Sequence, residues 1–153
     1  MDQKEKEIIA LKRFLELKGI NFNSELLKTK CPEPTDLEYD GKEYQITTGD
    51  GEYFGEILKV TKKYDITDVP KRMVDRLLTP DSWLTEVIQP ILKNKRIRAS
   101  KDIVLVMSIL TFGPPISDVV WNELHQKFAN ANRDLINVWK EVYCVYPNRL
   151  IKL

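Results

Sequence analysis

Histidine is almost absent from this chain. His125 is the only one among 153 residues, which excludes paired-histidine metal motifs such as HExxH. It also leaves Ser-His-Asp chemistry a single candidate base, with no GxSxG turn to support it. Cysteine is nearly as scarce. Cys31 and Cys144 stand far apart with no CxxC pair, so a structural zinc site is excluded and two free thiols are expected. The longest apolar run, Ile103–Leu110, is too short to span a bilayer and contains Ser108. The opening residues Met1 to Glu7 mix both charge signs and lead into no apolar segment, so no signal peptide is expected. The expectation is a cytoplasmic protein with no membrane partner, its thiols reduced.

These deficits do not amount to disorder. An apolar fraction of 42% with 31% charged residues is that of a globular protein, and 153 residues suit one domain with a real core. The net charge of +1 hides an uneven distribution. From Cys31 to Glu56 the acids Glu33, Asp36, Glu38, Asp40, Glu43, Asp50, Glu52 and Glu56 face one base, Lys42. From Lys93 to Lys101 the bases Lys93, Lys95, Arg96, Arg98 and Lys101 stand with no acid among them. An acidic pocket beside a basic strip suits a phosphodiester held near a divalent metal. The same pattern also describes a solvated hairpin and a solvated helix end.

Periodicity predicts an amphipathic helix over Gln3–Lys18, with Ile8, Ile9, Leu11, Phe14, Leu15 and Lys18 on one face, Asp2 as N-cap and Gly19 just past its end. Ile20–Thr29 has weak strand character, because Phe22, Leu26 and Leu27 do not alternate cleanly. Pro32 and Pro34 forbid a helix before a second strand, Asp36–Tyr39. Asp40-Gly41 is a hairpin turn signal, and Glu43–Thr48 follows with Tyr44, Ile46 and Thr48 on a core face and Glu43, Gln45 and Thr47 on a wholly polar one.

Thr48–Gly55 reads as a glycine-rich loop whose Tyr53 and Phe54 anchor it to the core or stack on bases; its glycine spacing does not fit a dinucleotide fingerprint. Lys71–Leu78 is a short helix, and Thr79-Pro80 starts another that carries Trp83 to Leu92 and is kinked at Pro90. Asp102–Leu110 is a strand covered on both faces. Ser117 or Asp118 caps a helix with Val119, Val120, Leu124 and Phe128 on one side; a further helix near Asn132–Val138 leads to strands at Val142–Tyr146 and Arg149–Lys152. Trp83, Trp121 and Trp139 read as core, and His125 as a helix histidine that is exposed or internally satisfied.

Residues Pro34-Thr35-Asp36, followed beyond the Asp40-Gly41 turn by Tyr44-Gln45-Ile46-Thr47, resemble the PD…(D/E)xK motif of the PD-(D/E)XK, restriction-endonuclease-like nucleases. Gln45 takes the second acidic position and Thr47 the lysine position. The resemblance covers residues 3–48 by motif and the rest by element order. It implies an α/β fold with an αβββαβ core, a mixed central sheet flanked by helices, and often a homodimer. It further implies magnesium held by Asp36, Gln45, the Ile46 carbonyl and an acid of the first helix, Glu5 or Glu7, between which periodicity does not choose. Glu43 is an additional acid on the Gln45 face. A hard divalent ion wants such oxygen ligands and would activate water against a phosphodiester. Thr47 supplies no ammonium, so a lysine would have to reach in from elsewhere, Lys30, Lys42 or Lys59 being candidates. Two functions follow from the resemblance. One is a nuclease with Asp36, Gln45, Glu43 and Thr47 at its centre; the other is a non-catalytic relative that binds nucleic acid or protein. In both, Lys93, Lys95, Arg96 and Arg98 would face nucleic acid.

Overall fold

The computed structural model describes residues 2–48, 83–109 and 117–153. The glycine loop after Thr48, the helix at Lys71–Leu78 and the Thr79-Pro80 helix start lie outside them. The first helix, α1 (Gln3–Leu17), is set by its ends. Asp2 and Glu5 form a reciprocal capping box: Glu5 N–H donates to Asp2 Oδ1 at 2.8 Å and Asp2 N–H to Glu5 Oε2 at 3.2 Å. At the other end Gly19 takes φ +79, so that Ile20 N–H reaches Leu15 O and Gly19 N–H reaches Glu16 O, both at 2.9 Å. That is the Schellman closure a glycine permits. Ile9, expected on the apolar face, proves exposed.

Six strands form one mixed sheet in sequence order: β1 (Leu27–Lys28), β2 (Leu37–Tyr39), β3 (Lys42–Thr48), β4 (Ile103–Ser108), β5 (Glu141–Val145) and β6 (Leu150–Lys152). β1 to β3 run antiparallel, β4 is parallel to both β3 and β5, and β6 is antiparallel to β5. Asp40 and Gly41 both adopt positive φ, as a two-residue hairpin turn matched to strand twist requires. The weak Ile20–Thr29 segment yields only a 3₁₀ turn, Ser24–Leu26, and the two residues of β1.

A π-type turn, Leu84–Ile88, leads into α2 (Gln89–Lys95), and the 3₁₀ turn Arg96–Arg98 follows. The expected kink at Pro90 takes this form. Proline has no N–H for the carbonyl four residues back and its ring crowds that carbonyl; a widened turn just before it relieves both. α3 (Asp118–Ala131), capped by the Ser117 hydroxyl, and α4 (Arg133–Ile136) complete the set.

Strand alternation sorts the core into two layers. Leu37, Tyr39, Tyr44, Ile46, Val104, Val106, Tyr143 and Val145 pack against Ala10, Leu11, Phe14 and Leu15 of α1. Leu105, Met107, Val142 and Cys144, on the other face, pack with Trp83, Val87, Leu92, Trp121 and Phe128 beneath α2, α3 and α4. The chain is therefore an α/β protein with a six-stranded mixed sheet flanked by helices. The two parallel crossovers advance in the same direction, so right-handed connections put their helices on one face and leave the other to α1.

The face of α3 differs from expectation. Val119 and Val120 are 67% and 45% exposed, and the helix instead buries Trp121, His125, Phe128 and Ala129. Three-and-four spacing is satisfied by more than one stripe here, and the aromatic stripe buries more area. All three tryptophans are core residues, and both cysteines are free, Cys144 buried and Cys31 half-buried. Among the described residues no helix is long and apolar enough to cross a membrane.

Candidate functional site

Asp36 ends the β2–β3 ladder in an unusual way. Its N–H donates to Tyr44 O at 2.9 Å, as a strand residue would. On the return side its carboxylate takes over: Oδ2 accepts the Ile46 N–H at 2.8 Å. The same Oδ2 accepts Gln45 Nε2 at 2.7 Å. The spacing Asp36…Gln45 therefore does bring the two side chains together, on the sheet face opposite α1.

That face is not the solvated one expected from the alternation of β3. Gln45 is only 1% exposed. β3 is an interior strand, with Gln45 beside Leu105 and Thr47 beside Met107 in the parallel ladder. Its amide nitrogen is used by Asp36, but Oε1 is buried with no donor. An acceptor left in this state costs about 1–3 kcal/mol, so its retention calls for an explanation.

The first helix approaches from the opposite layer. Lys4 Nζ donates to the Asp36 carbonyl at 2.8 Å and lies 3.0 Å from Glu7 Oε2. Gln3 Nε2 reaches Glu7 Oε1 at 3.4 Å. Glu7 Oε2 is buried with the Lys4 ammonium as its partner. Among the described residues, Gln45 Oε1 is thus the one buried side-chain oxygen with neither a donor nor a cation beside it.

The helix acid that comes toward this group is Glu7. Glu5 is exposed and its carboxylate is occupied in the capping box, so the structure does not bring it to Asp36. Lys4 did not emerge from the sequence, because a lysine one helical turn before a glutamate reads as a surface pair. The signal available was its position on the Glu7 side of α1.

Glu43 lies further along the same face of β3, opposite Glu38 of β2, whose carboxylate is 3.1 Å from Lys28 Nζ. Burial first, and then the Glu38 carboxylate, push the Cys31 thiol above its ordinary range, with Lys4 opposing. Thr47 offers a hydroxyl but no charge. Among the described residues no group of three His, Cys, Asp or Glu side chains converges to hold a metal ion. The oxygens that could serve a hard cation here are the Asp36 carboxylate and the buried Gln45 Oε1 without a donor.

Of the basic strip, Lys93, Arg96, Arg98 and Lys101 are exposed and Lys95 is partly so. Arg98 Nη1 is 3.4 Å from Glu33 Oε2, which ties the strip to the loop that leads into Asp36.

His125 proves to be internally satisfied. It is 0% exposed, with Nδ1 2.7 Å from Trp121 O and Nε2 2.6 Å from Tyr146 Oη. A carbonyl can only accept, so Nδ1 carries the proton and the tyrosine hydroxyl donates to Nε2. Burial, with a smaller contribution from Arg149, lowers its pKa to about 4. A separate cavity of about 350 Å³, lined by Leu84, Thr85, Gln89, Leu124, Lys127 and Asn132 among others, has no acid in its described lining.

Fold and site together define the class: an α/β protein whose polar group sits where β2 begins, beside the interior strand β3. Comparison with family models, with curated proteins and with solved structures finds no match.

Proposed function

We propose that this chain is a divergent PD-(D/E)XK-type protein that engages nucleic acid, with magnesium-dependent phosphodiester hydrolysis as the reaction its site would serve. The order of elements supports the reading: a helix, an antiparallel three-strand meander, then two parallel strands reached through helices. The observation that carries it is Gln45 Oε1, a buried oxygen without a donor on the side chain that bonds the Asp36 carboxylate. Such an atom is what an absent cation would complete.

Asp36 and Gln45 would hold the ion. When bound, it would lower the pKa of a water and offset charge on the phosphate. Lys4, held by Glu7 and the Asp36 carbonyl on the α1 side, would be the candidate for the ammonium that position 47 lacks. The basic strip beyond Glu33 would carry the flanking backbone. The test is incubation with DNA and RNA in magnesium or manganese. Cleavage lost in Asp36→Ala and reduced in Lys4→Gln is expected; cleavage that survives Asp36→Ala refutes the site.

One observation favours a second reading, a non-catalytic relative that binds nucleic acid. The Asp36 carboxylate is already bridged by the Gln45 amide and the Ile46 N–H, which closes the site without any ion. No cleavage, together with salt-sensitive binding lost on neutralising Arg96 and Arg98, would select it.

A further inference from the structure

The side chain of Ile97 is 91% exposed, more than any other large apolar residue among those described. Isolated exposed apolar residues are ordinary. This one differs in its setting. It occupies the middle of the 3₁₀ turn Arg96–Arg98, with an arginine on each side, Lys93 and Lys95 on the preceding turn of α2, and Lys101 just beyond. The turn is also fixed. Ala99 N–H donates to Arg96 O at 3.1 Å, and Ala99 packs on the large core cluster. An aliphatic tip is thus held out in water on a firm base and ringed by cations.

We infer that the Arg96-Ile97-Arg98 turn is a wedge for the minor groove of duplex DNA, with Ile97 entering a base-pair step and the arginines holding the phosphates on either side. The cations call for a polyanion. An aliphatic side chain has no π-face on which unpaired bases would stack, which disfavours a single strand. Aliphatic residues do enter and part base-pair steps from the minor groove, the deformation being offset by flanking cationic contacts. The wide, shallow minor groove of A-form RNA offers such a tip less grip. Arg98 is only lightly engaged, 3.4 Å from a Glu33 that is itself largely exposed, and can leave it for a phosphate. The inference names the substrate for the function proposed above, and rests on that reading only for what happens at Asp36.

The test uses the full chain and a short DNA duplex carrying 2-aminopurine at a central TA step, at low salt without divalent metal. Wild type is expected to bind in a salt-dependent way and to raise the fluorescence as the step unstacks. Ile97→Ala should bind about tenfold more weakly, with the fluorescence rise gone and the salt slope unchanged. Arg96→Gln should keep the rise at saturation but lower the slope of log K against log salt by about one. Ile97→Lys separates wedge from charge, since it should bind at least as tightly yet leave the bases stacked. Thermal melts matching wild type are expected for all three variants, since Ile97 touches little. Failure of wild type to bind duplex, binding without unstacking, or an Ile97→Ala variant indistinguishable from wild type would each overturn the inference. So would a concentration-dependent dimer abolished by Ile97→Ala, which would assign the tip to a second copy. Unstacking without Asp36-dependent cleavage would remove the hydrolytic reading and keep the wedge, and cleavage unaffected by Ile97→Ala would do the reverse.

Discussion

One face of the sheet buries a polar side chain at each of its two ends, and the two are treated in opposite ways. Over β5, His125 is sealed between Trp121 and Tyr146 with both ring nitrogens bonded. On β3, Gln45 is sealed as completely, yet half of its amide has no partner. The two-layer core explains how both are buried, but burial alone does not explain the difference. An incomplete acceptor is a cost that the described residues do not offset, as are the indole N–H groups of Trp121 and Trp139 in the same core.

The largest effect should fall on His125. Its pKa is lowered from 6.5 to about 4, so between those values the unfolded chain binds a proton that the folded chain does not. Stability is therefore full above pH 6.5, declines as the pH falls toward 4, and levels off below that. The loss from this group amounts to about 3 kcal/mol. Denaturant titrations across that range should show the slope, and His125→Ala should abolish it. The same substitution at neutral pH opens a hole and removes the Tyr146 hydrogen bond, costing about 3 kcal/mol, a fall in Tm of roughly 10 °C.

Asp36→Ala comes next. It removes the acceptor of the Ile46 N–H and of Gln45 Nε2, costing about 2 kcal/mol in a urea melt. It should also erase any rise in Tm that manganese gives the wild type, whereas His125→Ala should leave that rise in place. If manganese stabilises Asp36→Ala as much as wild type, the contrast between the two ends fails.

Gln45→Met sharpens the contrast by contributing little to stability. The orphan oxygen vanishes with the lost hydrogen bond, so unfolding should shift by less than about 1 kcal/mol while ion-linked stabilisation disappears. A loss as large as that of His125→Ala would make Gln45 another structural polar group. Smallest of all is Asp118→Asn, which breaks the 2.6 Å pair with Arg149 near the His125 end. Asp118 is mostly exposed, and about 0.5 kcal/mol or less is expected by chemical denaturation.

What the sequence disclosed follows the range of the forces involved. The ends of α1 and the Asp40-Gly41 turn are governed by neighbours in the chain, so Asp2, Glu5 and Gly19 could be assigned by inspection. The pairing of Asp36 with Gln45 was legible because a tight turn fixes register. The burial of Gln45 was not, since it depends on β4, which enters nearly sixty residues later and lays Leu105 alongside. Likewise Lys4 and Glu7 are distinguished from Glu5 only by how α1 lies on the sheet. On α3 two stripes competed, and the choice of Trp121 and His125 over Val119 and Val120 was made by Tyr146, a partner just past β5.

Lys4 has one more consequence. Its ammonium tethers the first turn of α1 to the Asp36 carbonyl, while Lys18, just past the last turn, lies over the rings of Phe14 and Tyr143. A helix ordinarily frays at its ends, but this one is clamped to the sheet at both. Its amides can open only when β2 and β5 release their hold, so α1 should exchange its hydrogens in step with the central strands, as part of the same cooperative unit.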